Sequence, residues 1–411
     1  GAAFNGTGQP MLAIQDNVSI VKGKHTIKFG GSFQRQEANG FGEQCIAGCV
    51  NFSFNGTSAP GNTAFTSGSS FASFLLGEAS GGGTETERFV NQIYNYYGFF
   101  VQDDFRIAPK LTLNIGLRWD YTQPPYSGRD EYSDFTPDRP NPAANNIPGA
   151  LRFAGFGEGT ENSRTLVGRW PWGFGPRIGL AYQMNSKTTV RTAFGRSFGR
   201  VTVVAGSGHF AGFIGNWRFN TLDNGINPAF RWDRGLPSFP LPRTLDPSAP
   251  LDPSFANNQN VHHWQQPDAT RAPENYYWTF NIQREVARNT VFEAAYTATI
   301  GAHLQAGLVN MNQVPTPIWD DLVSRFGVTQ AGSLIRSSIT SQAAVNAGFR
   351  PPFPNFVDPK VQQFRTVNQS LRPFPQFLGI QTGGQGGDKS GHSSYHALVL
   401  RATRRYSNGL A

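Results

Sequence analysis

Leu111-Thr112-Leu113-Asn114-Ile115-Gly116-Leu117-Arg118-Trp119-Asp120-Tyr121 alternates apolar and polar side chains without a fault. A strand repeats every two residues, so these eleven positions give one wholly apolar face and one that carries Arg118 and Asp120. A soluble sheet can carry such a strand once. In this chain the pattern recurs as strand, short turn, strand and then a long loop rich in Gly, Pro and Asn. That rhythm predicts an all-β fold, a partial antiparallel transmembrane β-barrel of the outer-membrane kind.

Working outward, the stretch closes a hairpin from Ile93 to Tyr121 that turns around Ile107-Ala108-Pro109-Lys110. Setting Phe105 against Leu111 places Val101 by Ile115, Phe99 by Leu117 and Tyr97 by Trp119, with Gln102 by Asn114 and Phe100 over Gly116 on the other face. Three more hairpins read the same way. The first, Leu12 to Arg35, turns at Lys22-Gly23-Lys24, and Ile27, Phe29 and Phe33 alternate with Thr26, Lys28, Ser32 and Gln34. The third, Gly175 to Phe198, turns at Asn185-Ser186-Lys187. The fourth, Asn275 to Ile300, turns at Arg288-Asn289. A ninth strand spans Ser394 to Arg405 and leads into Asn408-Gly409, a strong hairpin signal.

The turns inside hairpins are a few residues each. The connections between them, Gln36–Gln92, Thr122–Phe174, Gly199–Glu274 and Gly301–Ser393, are long and read as structureless. Transmembrane barrels have short periplasmic turns and long extracellular loops. The apolar piece Phe71 to Leu76 is expected to form a helical turn within the first loop, folding back into the barrel mouth. Bacterial single-chain barrels have an even strand number, so nine strands and a turn toward a tenth read as part of a larger barrel cut at both ends. Residues 1–411 are thus expected to be one incomplete barrel domain without a signal peptide.

Composition agrees. Hydrophobic residues are 38%, aromatics 13%, and there are 47 Gly and 28 Pro, too aromatic for disorder and too rich in turn formers for a helical fold. Apolar runs such as Phe99 to Val101 are far below the roughly 18 residues of a transmembrane helix. The net charge is +8 and 28 of the 35 basic residues are Arg, but no basic run exceeds Arg404-Arg405, which disfavours nucleic-acid binding. Dispersed Arg side chains suit a lumen and anionic lipid headgroups, since the planar fork donates two parallel hydrogen bonds.

Sites of chemistry are sparse. Cys45 and Cys49 lack the further ligands of a zinc site and read as a local disulfide in an oxidising compartment. His262-His263 and the pair His392/His396 have no clustered carboxylate or thiol, and the latter two stand about 13 Å apart along a strand, so no metal site is expected. Asp103 and Asp104 are adjacent on a strand and point to opposite faces, Asp103 toward the headgroup level and Asp104 into the lumen. They cannot converge on one substrate atom. Gly173, Gly175 and Gly179 are spaced G-x-G-x-x-x-G with no helix after them, which reads as close strand packing and not as a dinucleotide fingerprint. No nucleophile elbow, HExxH or phosphate loop occurs, so neither an enzyme nor a cofactor is expected.

The alternation assigns Phe99, Val101, Leu113, Ile115, Leu117, Trp119, Ile178, Leu180, Trp278 and Phe280 to lipid. It assigns Gln102, Asp104, Asn114, Arg118, Asp120, Arg177, Arg191, Gln283, Glu285 and Glu293 to the lumen. The inward set reads either as a hydrogen-bonded wall or as contacts for a passing solute or a mobile plug.

Several segments resemble the barrel domain of TonB-dependent outer-membrane receptors, particularly the Oar-like group with carboxypeptidase-regulatory-like N-terminal domains. They are Gly23-Lys24-His25-Thr26-Ile27-Lys28-Phe29-Gly30-Gly31, Tyr96-Tyr97-Gly98-Phe99-Phe100-Val101-Gln102-Asp103-Asp104-Phe105, Leu113 to Tyr121, Gly175 to Tyr182, and Tyr395-His396-Ala397-Leu398. The resemblance implies a 22-stranded barrel, a plug in the lumen, and energy from a TonB-type partner in the inner membrane. The plug, the TonB-contacting segment and the remaining strands are not seen in this sequence. The expected function is energy-coupled passage of a bulky solute across the bacterial outer membrane, in contact with its lipid. A passive porin is one alternative. Another is a secreted adhesion or glycan-binding β-sandwich that uses Trp170, Trp172, Trp217 and Trp264 on sugars.

Overall fold

The computed structural model describes residues 4–43, 48–59, 66–85, 88–199, 211–213, 216–221, 227–235, 245–248, 261–306, 309–357, 365–382 and 388–405. Nine long strands among them form one antiparallel sheet in chain order: β1 (Met11–Lys22), β2 (His25–Glu43), β3 (Arg88–Ala108), β4 (Leu111–Thr122), β5 (Gly173–Asn185), β6 (Thr188–Phe198), β7 (Glu274–Ala287), β8 (Thr290–Leu304) and β9 (Gly391–Arg404). Each pairs with its neighbours in sequence, an up-and-down meander in which β1 and β9 form the two edges. A short strand, Phe4–Gly8, continues the β1 edge along β2 beyond Pro10. The expected Asn408-Gly409 turn lies outside the described residues.

Two-residue turns link the hairpins at Gly23-Lys24, Pro109-Lys110, Ser186-Lys187 and Arg288-Asn289. Gly23 and Asn289 take φ of 58° and 61°, the left-handed region that these residue types tolerate best. The register of β3 on β4 differs from the expected one by two residues. Phe105 lies opposite Leu113, Val101 opposite Leu117, Phe99 opposite Trp119, Gln102 opposite Gly116 and Phe100 opposite Arg118. The turn is tighter than four residues, and Ile107 bulges out of β3 between Arg106 and Ala108. A two-residue turn alone would set Val101 against Arg118, and the bulge restores apolar opposite apolar. The same device recurs at Met184 before Ser186-Lys187 and at Val286 before Arg288-Asn289. The ring of Phe100 covers Gly30 instead of Gly116.

The apolar face is exposed along its length, with Leu117 45% and Phe280 46% accessible. Packing of two sheets against each other would have buried it, which removes the β-sandwich alternative. β2 and β3 are 19 and 21 residues long, about 65–70 Å at a strand's rise, whereas a tilted membrane strand needs about ten residues. Along β3 the alternation gives way to continuous burial at Gln92, Ile93, Tyr94 and Asn95, where the strand is covered on both faces.

What covers it corrects the expectation of structureless loops. Residues 126–172 and 261–273 and the stretch between β8 and β9 carry their own strands and helices. Ser133–Asn141 pairs with Ile147–Phe153, and Val261–Trp264 pairs in parallel with Gly379–Thr382. Helices Thr316–Phe326 and Val328–Arg336 follow β8. One core gathers Ala144, Ile339, Ala344, Phe353, Phe356 and Val367, and another gathers Phe135, Phe377 and Ile380. The long loops therefore fold into a packed head. In the first loop the piece expected as a helical turn is a helix, Ser70–Leu75, whose Phe71, Phe74 and Leu75 are exposed.

The three glycines of β5 divide two against one. A Cβ on Gly173 would lie 2.0 Å from the Asp120 carbonyl oxygen, and one on Gly175 would lie 2.5 Å from that of Arg196, whereas Gly179 has nothing closer than 3.6 Å. Gly173→Ala is expected to cost ~1–3 kcal/mol through overpacking against backbone, and Gly179→Ala to be tolerated. Urea unfolding of the two variants in parallel checks this.

Candidate functional site

The polar face of the sheet is the candidate site. All ten residues assigned inward by alternation lie on this one face, as the pairings Gln102–Gly116–Arg177 and Asp104–Asn114 across β3, β4 and β5 illustrate. The ten assigned to lipid lie on the other, in rows such as Ile115–Ile178–Phe194–Trp278.

The inner face carries three hydrogen-bonded groups. Arg118 donates from Nε to Asp120 Oδ1 at 2.8 Å and from Nη2 to Tyr96 Oη at 2.8 Å, while Tyr96 donates to Asp120. Gly98, opposite Asp120, leaves the space that these side chains occupy. Asp104 accepts from Asn114, from Gln102 at 3.1 Å and from Lys28 Nζ at 3.4 Å. Asn281 donates to Glu293. Arg177 differs: it is exposed between Gly116 and Gly195 and has no hydrogen-bond or ion-pair partner among the described residues. A concavity of about 260 Å³ lies beside it, lined by Gln102, Asn114, Gly116, Gly179 and Tyr277. Arg191 is likewise exposed and unpaired among the described residues. The face thus offers fixed carboxylates in networks and free guanidinium groups between them, a surface for reversible contact with polar or anionic groups and without convergent catalytic geometry.

Among the charged residues on the apolar parity, Asp103 and Glu274 are held by partners in clusters that the pattern signals as charges on the wrong face. Asp103 faces outward and accepts from His25 Nδ1 at 2.7 Å, with the His25 ring stacked 4.2 Å from Phe105. At the head end Glu274, 1% exposed, collects Arg196 Nη2 at 2.7 Å, Arg271 Nη2 at 2.8 Å and Tyr276 Oη at 2.8 Å. Arg196 lies over the Phe198 ring and Arg271 over that of Trp170. This cluster ties β6 and β7 to the loops above them, and sequence reasoning missed it.

In the head, Asp134 is fully buried, 2.8 Å from Arg152 Nη2, and accepts from the Gln265 amide at 3.1 Å. Burial pushes its carboxyl up to about 7 against the pull of Arg152. The folded head then holds a proton that the unfolded chain releases near pH 4, so stability falls as pH rises from about 4 to 7 and is level above. Thermal melts across that range are expected to show the decline, and Asp134→Asn to flatten it.

Asn312, Gln369 and Gln376 are buried and bond main-chain carbonyls of residues 374–377 and 148–149. Trp264 packs on the Phe135 core and Trp170 on Phe198, while Trp172 is exposed. His262 and His263, expected in a loop, fall in the strand Val261–Trp264. No group of three metal-ligating side chains occurs among the described residues. Cys49 is disulfide-bonded, and Cys45 lies outside the described residues.

A family model described as outer membrane beta barrel domain matches residues 3–411. No curated protein matches the chain. Among solved structures, the outer membrane transporter YddB from Escherichia coli is similar at 10% identity and a TM-score of 0.34, over 76% of this chain and 27% of that one. The ferric enterobactin receptor PfeA from Pseudomonas aeruginosa gives 10%, 0.30, 74% and 28%. The copper transporter OprC gives 10%, 0.34, 75% and 32%. The chain spans about a third or less of the length of these structures.

Proposed function

The chain belongs to the outer membrane beta barrel domain family, and from that premise we propose that it is the wall of a TonB-dependent receptor that carries a bulky solute across the bacterial outer membrane. The apolar face meets lipid and the polar face, with Arg118, Asp120, Asp104, Arg177 and Arg191, lines the lumen. The packed head captures solute outside. A plug and a segment that contacts a TonB-type partner belong to the rest of the protein, and energy from the inner membrane moves the plug. The observation that carries this reading is the folded head at the long-loop end, because a structured surface above the lumen suits capture better than free diffusion does. No catalytic role is assigned to any residue.

Planar-bilayer recording of the full-length protein tests the reading. A receptor with a filled lumen stays electrically closed at rest. A large steady conductance would identify a passive porin and overturn energy coupling.

A further inference from the structure

Five of the seven lysines in the sequence, Lys22, Lys24, Lys28, Lys110 and Lys187, lie in or near the two-residue turns at one end of the sheet. Of these lysines, Lys28 is paired with Asp104 Oδ2 at 3.4 Å on the polar face. At the head end five arginines are neutralised by carboxylates, in the pairs Arg35–Glu37, Arg139–Glu161, Arg152–Asp134, Arg164–Asp130 and Arg196–Glu274, while Arg336 and Arg350 are exposed and have no carboxylate partner among the described residues. At the turn end Lys22, Lys110, Lys187, Arg284 and Arg404 are exposed and have no carboxylate partner among the described residues. Lys24 donates to the Ile107 carbonyl at 3.1 Å.

Three of these cations stand on the apolar parity. Lys22 follows Ile20 and Val18 on its face of β1, Arg284 follows Ile282 and Phe280 on β7, and Arg404 follows Leu400 and Leu398 on β9, all exposed apolar side chains. A second, separate observation comes from the bulges. Ile107, Met184 and Val286 are the bulged residues before three of the turns; each is large, apolar and exposed, and a lysine stands three residues after the first two. Apolar side chains immediately above unpaired cations match the boundary between acyl chains and phosphate in a lipid leaflet, where a long basic side chain buries its stem and keeps its charge among headgroups.

We infer that the turn end of this sheet is a binding surface for anionic phospholipid headgroups of the periplasmic leaflet. Lys22, Lys110, Lys187, Arg284 and Arg404 supply the charge, and the bulged Ile107, Met184 and Val286 supply the acyl contact. The surface rests on outer-membrane residence and is independent of what crosses the lumen. Its lipid is selected by net negative charge.

The test uses the full-length protein in neutral detergent, titrated with short-chain phosphatidylglycerol, short-chain phosphatidylcholine or inorganic phosphate. Phosphatidylglycerol is expected to bind and the other two are not. Each lysine removed is expected to weaken binding about fivefold at low salt, so Lys22→Gln/Lys110→Gln/Lys187→Gln together give a loss of about 100-fold, diminishing as salt rises. Lys24 is kept because of its carbonyl contact. Arg231→Gln/Arg325→Gln/Arg336→Gln, which removes the same charge from the loops, is expected to leave binding unchanged. Unaltered phosphatidylglycerol binding in the triple lysine variant, or an equal loss in the loop variant, overturns the site. Equal affinity for phosphatidylcholine removes the charge selection, and equal affinity for inorganic phosphate makes it a free-anion site without a lipid role. Tryptophan fluorescence confirms that each variant is folded before it is titrated.

Discussion

Leu117→Arg is expected to destabilise the barrel by ~2–4 kcal/mol, the cost of a guanidinium on the lipid face near mid-depth. Leu117 sits on β4 between Ile115 and Trp119 on the apolar face and opposite Val101 on β3. Its direct cross-strand partners on that face, Val101 on β3 and Pro176 on β5, are both apolar. Thr297→Arg, the same substitution on the polar face of β8, is expected to stay within about 0.5 kcal/mol, as for an ordinary surface change. Denaturant unfolding in neutral-lipid vesicles, followed by tryptophan fluorescence, measures both. Equal costs at the two positions would mean that the faces are not distinguished by their surroundings, and the assignment of lumen and lipid would fall with that result.

Glu274→Ala is expected to cost about 3 kcal/mol, the lower part of the range for removing one partner of a buried ion pair, because Arg196 and Arg271 keep some access to water. The substitution leaves two guanidinium groups facing each other and strips Tyr276 of its acceptor. Glu274→Gln, which keeps the shape and an acceptor oxygen, is expected to lose about half as much. Arg271→Ala removes one cation of two and leaves the carboxylate paired with Arg196, so its effect is smaller still. Glu274→Ala is expected to loosen the tops of β6 and β7 first, and protease nicking in residues 166–172 or 265–273 would report it. A variant as stable as the parent would show that the cluster is only a surface ion pair.

Alternation made the membrane wall readable from the residues alone, since a period of two assigns every position from Leu111 to Tyr121 to a face. Register was not readable to the same degree. Ile107 looks like any apolar strand residue, and nothing local marks it as the one left unpaired. The Glu274 cluster announced itself only as charges on an apolar parity, and its partner Arg196 lies 78 residues away. The head was least legible. Its stability comes from contacts between remote segments, such as Gln265 on Asp134 and Gln376 on the carbonyls of residues 148 and 149. Each of those segments, taken by itself, has the Gly, Pro and Asn content of an open loop. The carbonyl clamps made by Asn312 and Gln369 supply what local periodicity does not.

The bulges at Ile107, Met184 and Val286 have a consequence for how such a wall can change over time. A two-residue turn joins odd positions to even ones, and one unpaired residue in the incoming strand repairs the count. Deleting Ile107 alone would therefore leave every pairing of β3 with β4 as it is, with Val101 still against Leu117, because the residue removed has no partner. Deleting a paired residue between Val101 and Ile107 would instead move the strand beyond it by one place, unless Ile107 entered the ladder in its stead. Each bulge is thus one residue of slack, which lets its hairpin lose a single residue without turning apolar side chains to the polar face.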